Sequence, residues 1–442
     1  MSVLLLIPGL ISILLVLRGR IETAFLSVYL PCLLLLPEDY AVRIPHCPPI
    51  SAAGYALIPL GIVGIIRLFR RGSFALMDLL AVLFPASIGL SEILHSAVLN
   101  DGIFVAIGSF VSISMAYVAG RTLIEPDLRL ATVRRFVILV LWDGLPGLYE
   151  WRMGQNPYGI FGTNVLGLTN IGAGLQIRGG HGRMGSVFNG SEPGGIAFAM
   201  TFCLNAWLVY LRRVKAPVDL GKTFTKLQKY HVPGLLLLLY VVFTQARGPM
   251  IALAGGYLIL QIPRFKSTKQ MTIVVAVLLV GGYMAASAYF AAYTSGTEIT
   301  SEQQGSAMYR RGMNEMYPPI AEKGGWTGYG MIGIPHVHGM DSIDNHYLLV
   351  HLAWGRLGYI LFLLITWENI RVLLVRSWKV KTLADRAFVF SMLAAMAVLW
   401  LTLLTVFLGG QLPQICFLLI GWMQSVSPAN RRIRFSFRRV FS

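Results

Sequence analysis

Charge is scarce in this chain. Asp, Glu, Lys and Arg make up 13% of its 442 residues, about half the roughly 25% of a soluble domain, and the mean hydropathy is +0.65. That shortage excludes an ordinary water-soluble domain. Cysteine is almost absent too. Cys32, Cys203 and Cys416 fall in apolar runs and only Cys47 sits in a connection, so no disulfide framework is implied. Neither an Asp-X-Asp nor a His-Glu-X-X-His occurs, and His336 and His338 of HVHG lack a third ligand at a recognisable spacing. Neither a metal nor another cofactor is therefore expected. The first apolar run has no basic start and no small-residue cleavage site, so it reads as a span and not a signal peptide.

Long apolar runs are what the chain has in abundance. A helix needs about 17–25 residues to cross the hydrocarbon, and about thirteen segments suit that role. They centre near 3–17, 22–37, 50–66, 74–93, 102–120, 130–148, 194–211, 233–246, 248–263, 271–292, 346–366, 387–410 and 411–426. Continuous runs such as GLLLLLYVVF exclude a barrel, whose strands alternate over about ten residues. The expected fold is all-α and polytopic, a single membrane domain over residues 1–442. The net charge of +17 has a topological origin. Basic clusters follow every second run, and Lys and Arg are retained on the cytoplasmic side. That places the N-terminus outside and the C-terminus inside, and it removes any need for a nucleic-acid partner.

The same topology puts two long polar loops, 149–193 and 293–345, on the outer face, together with the tight turn TQARGPM. These segments are rich in Gly, Asn and Pro, which predicts irregular loop with short helical turns. They also keep arginines on a face where the retention rule disfavours them. Arg247 in the turn is either an interfacial anchor or a clamp for a diphosphate, since a guanidinium fork matches phosphate oxygens. Arg183 opens RMGSVFNGSEPGG, whose glycines allow close backbone approach and whose following helix offers free amides to an anion. Arg310 and Arg311 form a less specific pair. Arg356 lies some ten residues into an apolar run, where burial is costly; an ion pair with Asp143 is the simplest expectation. Asp344-Asn345-His346-Tyr347 opens that run, either as a helix cap or as a general base at the mouth of a cavity. A helical start turns His346 roughly 200° from Asp344, so one of the two faces the cavity.

Four of these stretches, in order, resemble one family. Asn345, nine residues, then Gly355-Arg-Leu-Gly358 is similar to the His-Asn/Ser/Gln, nine residues, Gly-X-X-Gly pattern of bacterial O-antigen ligases and the related O-antigen and exopolysaccharide polymerases. TQARGPMIAL resembles the small-residue-Arg-Gly segment of that family. RMGSVFNGSEPGG resembles its Arg-X-X-Gly segment, and YRRGMNEMYPPIAEKGGWTGYG the segment where an Arg precedes Gly-X-Gly. The resemblance covers about residues 130–370.

It implies a GT-C-like glycosyltransferase of the bacterial inner membrane, working at the periplasmic face without a metal and with inversion. The donor it implies is a glycan on polyprenyl diphosphate, and the acceptor a glycan or a lipid-linked glycan. Membrane lipids, chain-length regulators and flippases are the implied partners. Carried over, Arg183 and Arg247 bind the diphosphate, with Arg311, Arg310, Asn345 and Tyr347 as further substrate contacts. Asp344 stands where the family has its histidine base, with His346 as the competing base. A carboxylate can perform that step in inverting glycosyl chemistry. The missing histidine favours a polymerase of repeat units over a ligase acting on lipid A-core, and Ala353 stands near where the family often has a glutamate. A transporter of lipid-linked sugars is the alternative of another class.

Overall fold

The computed structural model describes residues 2–42, 47–169, 176–178, 180–215, 220–295, 302–340, 342–380 and 382–425. Asp341, the C-terminal basic run Arg431 to Arg439 and the side chains of 212–230 lie outside the described residues. The chain is a bundle of helices: α1 (Leu4–Leu17), α2 (Ile21–Leu35), α3 (Ala52–Arg71), α4 (Leu76–His95), α5 (Leu99–Leu123) and α6 (Arg129–Met153). There follow α7 (Pro157–Asn164), α8 (Ser191–Lys215), α9 (Leu220–Phe243), α10 (Arg247–Gln261) and α11 (Thr268–Tyr293). The last four are α12 (Glu302–Lys323), α13 (His346–Lys379), α14 (Leu383–Thr402) and α15 (Leu412–Ser425). Two-residue hairpins interrupt the helices, β1 (Ala41–Val42) with β2 (Ile50–Ser51), and β3 (Ile177–Arg178) with β4 (His181–Gly182).

Each of the thirteen expected apolar segments is helical, but they are not alike. Seven helices are long and apolar enough to cross a membrane: α3, α4, α5, α8, α11, α13 and α14. Four more are shorter apolar helices, α1, α2, α15 and the His231–Phe243 half of α9. Of the remaining two, α6 carries Arg129, Arg134, Arg135, Asp143, Glu150 and Arg152, and α10 has only 15 residues. The finding is a membrane-embedded helical protein with seven such helices among the described residues.

Small residues set the tightest crossing. Gly120 of α5 and Gly421 of α15 face one another so closely that a Cβ on Gly120 would lie 2.8 Å from the Trp422 nitrogen, and one on Gly421 2.8 Å from the Tyr117 carbonyl carbon. Such backbone contact is how helices associate where lipid supplies no hydrophobic drive. At the centre, α14 is buried along nearly its whole length and packs against α8, α10 and α13. α11 is the opposite: apolar on every side, yet only Thr268, Thr272 and Val275 of it are buried.

Two expectations change here. The second long polar loop is not irregular throughout, because α12 runs for 22 residues within it. Nor is α13 a single straight span. Gly355 has φ 64 and ψ −165, which breaks the helix after Trp354, and the loop 324–330 fills the break. The nitrogens of Arg356 and Leu357 donate to the carbonyls of Gly325 and Trp326 (3.0 and 3.2 Å), while Tyr329 and Gly330 donate to those of Leu352 and Ala353 (3.0 and 2.9 Å). Only glycine fits on both sides, since a Cβ on Gly355 would lie 2.5 Å from the Trp326 carbonyl and one on Gly328 2.5 Å from the Gly355 nitrogen.

Candidate functional site

The α9–α10 turn is held by the first long polar loop. Three consecutive carbonyls of that turn accept from it: Phe243 from the Met184 nitrogen (3.2 Å), Thr244 from Arg183 Nε (3.2 Å) and Gln245 from Arg178 Nη1 (3.1 Å). Gln245 itself adopts φ 53, a left-handed conformation that a non-glycine residue keeps only when its surroundings hold it there. Arg183 is buried, 8% exposed. Its Nη1 donates to Gln176 Oε1 (2.8 Å) and its Nη2 to Glu192 Oε1 (2.7 Å). Its guanidinium therefore knits the loop, the turn and the start of α8 together.

Two carboxylates of α6 anchor the same loop from below. Glu150 Oε2 accepts from the nitrogens of Gly185 (2.9 Å) and Ser186 (2.6 Å). Asp143 Oδ1 accepts from Ser186 Oγ (2.7 Å), Tyr158 Oη (3.0 Å) and the Val187 nitrogen (3.3 Å). This clamp holds Ser186 at φ 56, and Asn189, whose Nδ2 donates to Asp39 Oδ2 (2.5 Å), follows at φ 54. It also overturns the expected Asp143–Arg356 pair. Asp143 is fully buried against the RMGSVFNG loop, whereas Arg356 is half-exposed and binds Glu322 Oε2 through Nε (3.2 Å) and Nη2 (2.5 Å). The break at Gly355 is the reason: it makes Arg356 the first residue of the continuous part of α13, next to the loop, not a residue inside a span.

Fixing the turn sets Arg247 at the first position of α10. It is exposed and has neither a hydrogen bond nor an ion pair among the described residues. Gly248 and Gly195 let neighbouring helices close around it, with a Cβ on either meeting Thr405 Oγ1 at 2.7 Å or Pro249 at 2.9 Å. Arg178, on β3, lies beside it. Partial burial, and then the positive charges of Arg183 and Arg247, hold the Arg178 guanidinium below its ordinary pKa; Glu192 opposes this and Arg310 adds to it. Three guanidinium groups from three separate segments thus come within electrostatic reach of Arg178.

Arg310, on α12, brings the third segment and Asp344 with it. Its Nη2 lies 3.7 Å from Asp344 Oδ2, and its Nε is buried with no hydrogen-bond partner among the described residues. Asp344 Oδ1 accepts from Ser342 Oγ (2.9 Å). The cap of α13 is Asn345, whose Oδ1 accepts from the nitrogens of Tyr347 (3.1 Å) and Leu348 (3.3 Å), so Asp344 has no capping duty. His346 turns inward. It is buried, its Nδ1 accepts from the Leu408 nitrogen (3.2 Å), and its ring packs edge-on against Phe362. Tyr347 Oη donates to the Trp400 carbonyl (3.3 Å). Arg311 points elsewhere, tied to Glu315 (2.8 Å) and to the Thr294 carbonyl at the end of α11 (2.8 Å).

The structure therefore gathers Arg183, Arg247, Arg310 and Asp344, and leaves His346, Tyr347, Asn345 and Arg311 engaged in packing, capping or surface pairing. Arg178 and Glu192, present in the same loop sequence but given no site role there, join the group; their signal is a second arginine five residues before Arg183 and an acid nine residues after it. His336 and His338 are exposed, and among the described residues no three His, Cys, Asp or Glu side chains are grouped so as to hold a metal ion. The chain matches no known protein family and no curated protein.

Proposed function

We propose that this chain is a membrane glycosyltransferase that joins polyprenyl-diphosphate-linked repeat units into a surface polysaccharide, at the outer face of a bacterial cytoplasmic membrane. The observation that carries the reading is the convergence of Arg183, Arg247 and Arg310 on Arg178 from three polar connections, with Arg247 unpaired among the described residues and Asp344 beside Arg310. The basic ends of α3, α5 and α13 meet away from this group, where Arg71 donates to the Thr122 carbonyl and Arg121 and Arg376 both donate to the Gln424 carbonyl. That distribution supports the outward placing of the arginine group.

In this reading the acceptor hydroxyl gives its proton to the Asp344 carboxylate as its oxygen attacks the anomeric carbon. The bond from that carbon to the diphosphate oxygen breaks on the opposite side, so the anomeric configuration inverts. The departing diphosphate takes the electron pair, and Arg247, Arg178 and Arg310 meet its growing charge. Preorganised cations of this kind stabilise the transition state without reorganising during the reaction. Arg183 has its forks committed to Glu192 and Gln176, so it positions the turn and adds field.

Purified protein incubated in detergent with one lipid-linked repeat unit should lengthen the glycan. Growth on the donor alone identifies a polymerase, and dependence on a lipid A-core acceptor identifies a ligase. Arg247→Ala and Asp344→Asn should each lower turnover by at least about a hundredfold with the protein still in the membrane. Movement of intact donor across vesicles with no new glycosidic bond sinks the proposal in favour of transport.

A further inference from the structure

The end of the bundle away from the arginine group holds a cavity that the glycosyl-transfer reading does not use. Its volume is about 320 Å³, within the range of ligand pockets. It exists because two helices that leave one turn part company: α9 leans on α8 and α6, while α10 packs against α14 and α8. Leu235, Leu238 and Leu260 line its length, and Leu235, Leu238 and Tyr257 also face outward from the bundle, so its side opens toward lipid. Tyr210, Gln261 and Arg264 line it as well. Arg264 is exposed and has no hydrogen bond or ion pair among the described residues. Lys266 and Lys269 follow within a few residues, and no Asp or Glu occurs from Arg247 to Tyr293.

We infer that this wedge is a binding site for a diacyl phospholipid with an anionic headgroup. One acyl chain lies between α9 and α10, and the phosphate meets the Arg264 guanidinium with the Gln261 amide and Tyr210 hydroxyl beside it. Charge complementarity selects the occupant. A neutral apolar ligand has no use for a cationic mouth, and free phosphate has none for the leucine-lined interior. Basic side chains near a membrane surface each contribute affinity for acidic lipid, and every methylene of a buried acyl chain adds to it. The site stands independently of what the arginine group at the other end does.

Native mass spectrometry of the full chain, released from micelles supplemented with phosphatidylglycerol or phosphatidylcholine, tests it. One phosphatidylglycerol should stay bound, with phosphatidylcholine lost and millimolar inorganic phosphate unable to displace it. Arg264→Gln should reduce retention about fivefold, and Leu238→Trp, which fills the wedge from its lipid-facing side, should abolish it. Arg264→Gln alters a surface side chain, so it stays informative if Leu238→Trp misfolds. Equal retention of the neutral lipid, displacement by phosphate alone, or unchanged retention in Arg264→Gln overturns the inference.

Discussion

Arg183 and Arg247 carry the same group in opposite states. The first commits its donors to Thr244, Gln176 and Glu192, and the second has no partner among the described residues. Substitution should separate them. Arg247→Lys keeps a charge but loses the planar fork that grips two oxygens, so it should retain part of the glycan-lengthening activity that Arg247→Ala loses, at unchanged stability. Arg183→Lys should instead lower stability, measured as thermal unfolding in detergent, because the half-buried Glu192 partner and two acceptors around a buried cation are left poorly matched. Arg356 makes a different residue-scale prediction. Its hydrogen bond and charge hold the Glu322 carboxyl below its ordinary pKa. The unfolded chain therefore takes up this proton first as pH falls. The pair's stabilisation is complete above the unfolded value, about 4.3, and disappears as pH drops through the lower folded one. Carbon-13 titration of labelled Glu322 should show that depression and its removal in Arg356→Gln.

At the scale of elements, the Gly355-Arg-Leu-Gly358 stretch was visible as a motif, but its meaning was not. In isolation it reads as part of one apolar helix with a costly arginine. In the fold it is a break, with a second glycine loop packed backbone to backbone into the gap. Gly355→Ala demands φ 64 of an alanine and pushes its methyl against Trp326. The expected cost is at least about 2 kcal/mol, seen as a lowered unfolding temperature, with Gly328→Ala behaving similarly. The clamp on the RMGSVFNG loop was hidden for a related reason. Asp143 and Glu150 sit seven residues apart on one face of α6, a spacing any helix offers, and only the approach of Ser186 and Gly185 gives both carboxylates partners.

On the scale of the whole molecule, helices differ in how much they owe to one another. Gly120 and Gly421 sit in backbone contact, whereas Gly281 and Gly282 of α11 have nothing within 4 Å of a built Cβ. Gly120→Leu should therefore prevent assembly, read as loss of a monodisperse protein in detergent. Gly281→Leu should change thermal stability by no more than about 0.5 kcal/mol. An equal penalty at both positions would mean that α11 is packed in the membrane by something other than lipid.

What the sequence by itself determined is the class and the placing of its segments: a helical membrane protein, its apolar runs, and three connections that keep arginines together. Those properties are local, because hydropathy and the siting of Lys and Arg are read along one dimension. Which arginines are committed and which stay free, that Asn345 and not Asp344 caps α13, and that Arg356 answers to Glu322 were decided only by tertiary structure. Arg183 depends on a turn 61 positions away, Arg356 on a carboxylate 34 positions away and on a single backbone break, and the cap on which of two adjacent side chains faces the first amides of α13. Hydrogen bonds and charges act over a few ångströms of space, and the linear chain does not state which segments will come that close.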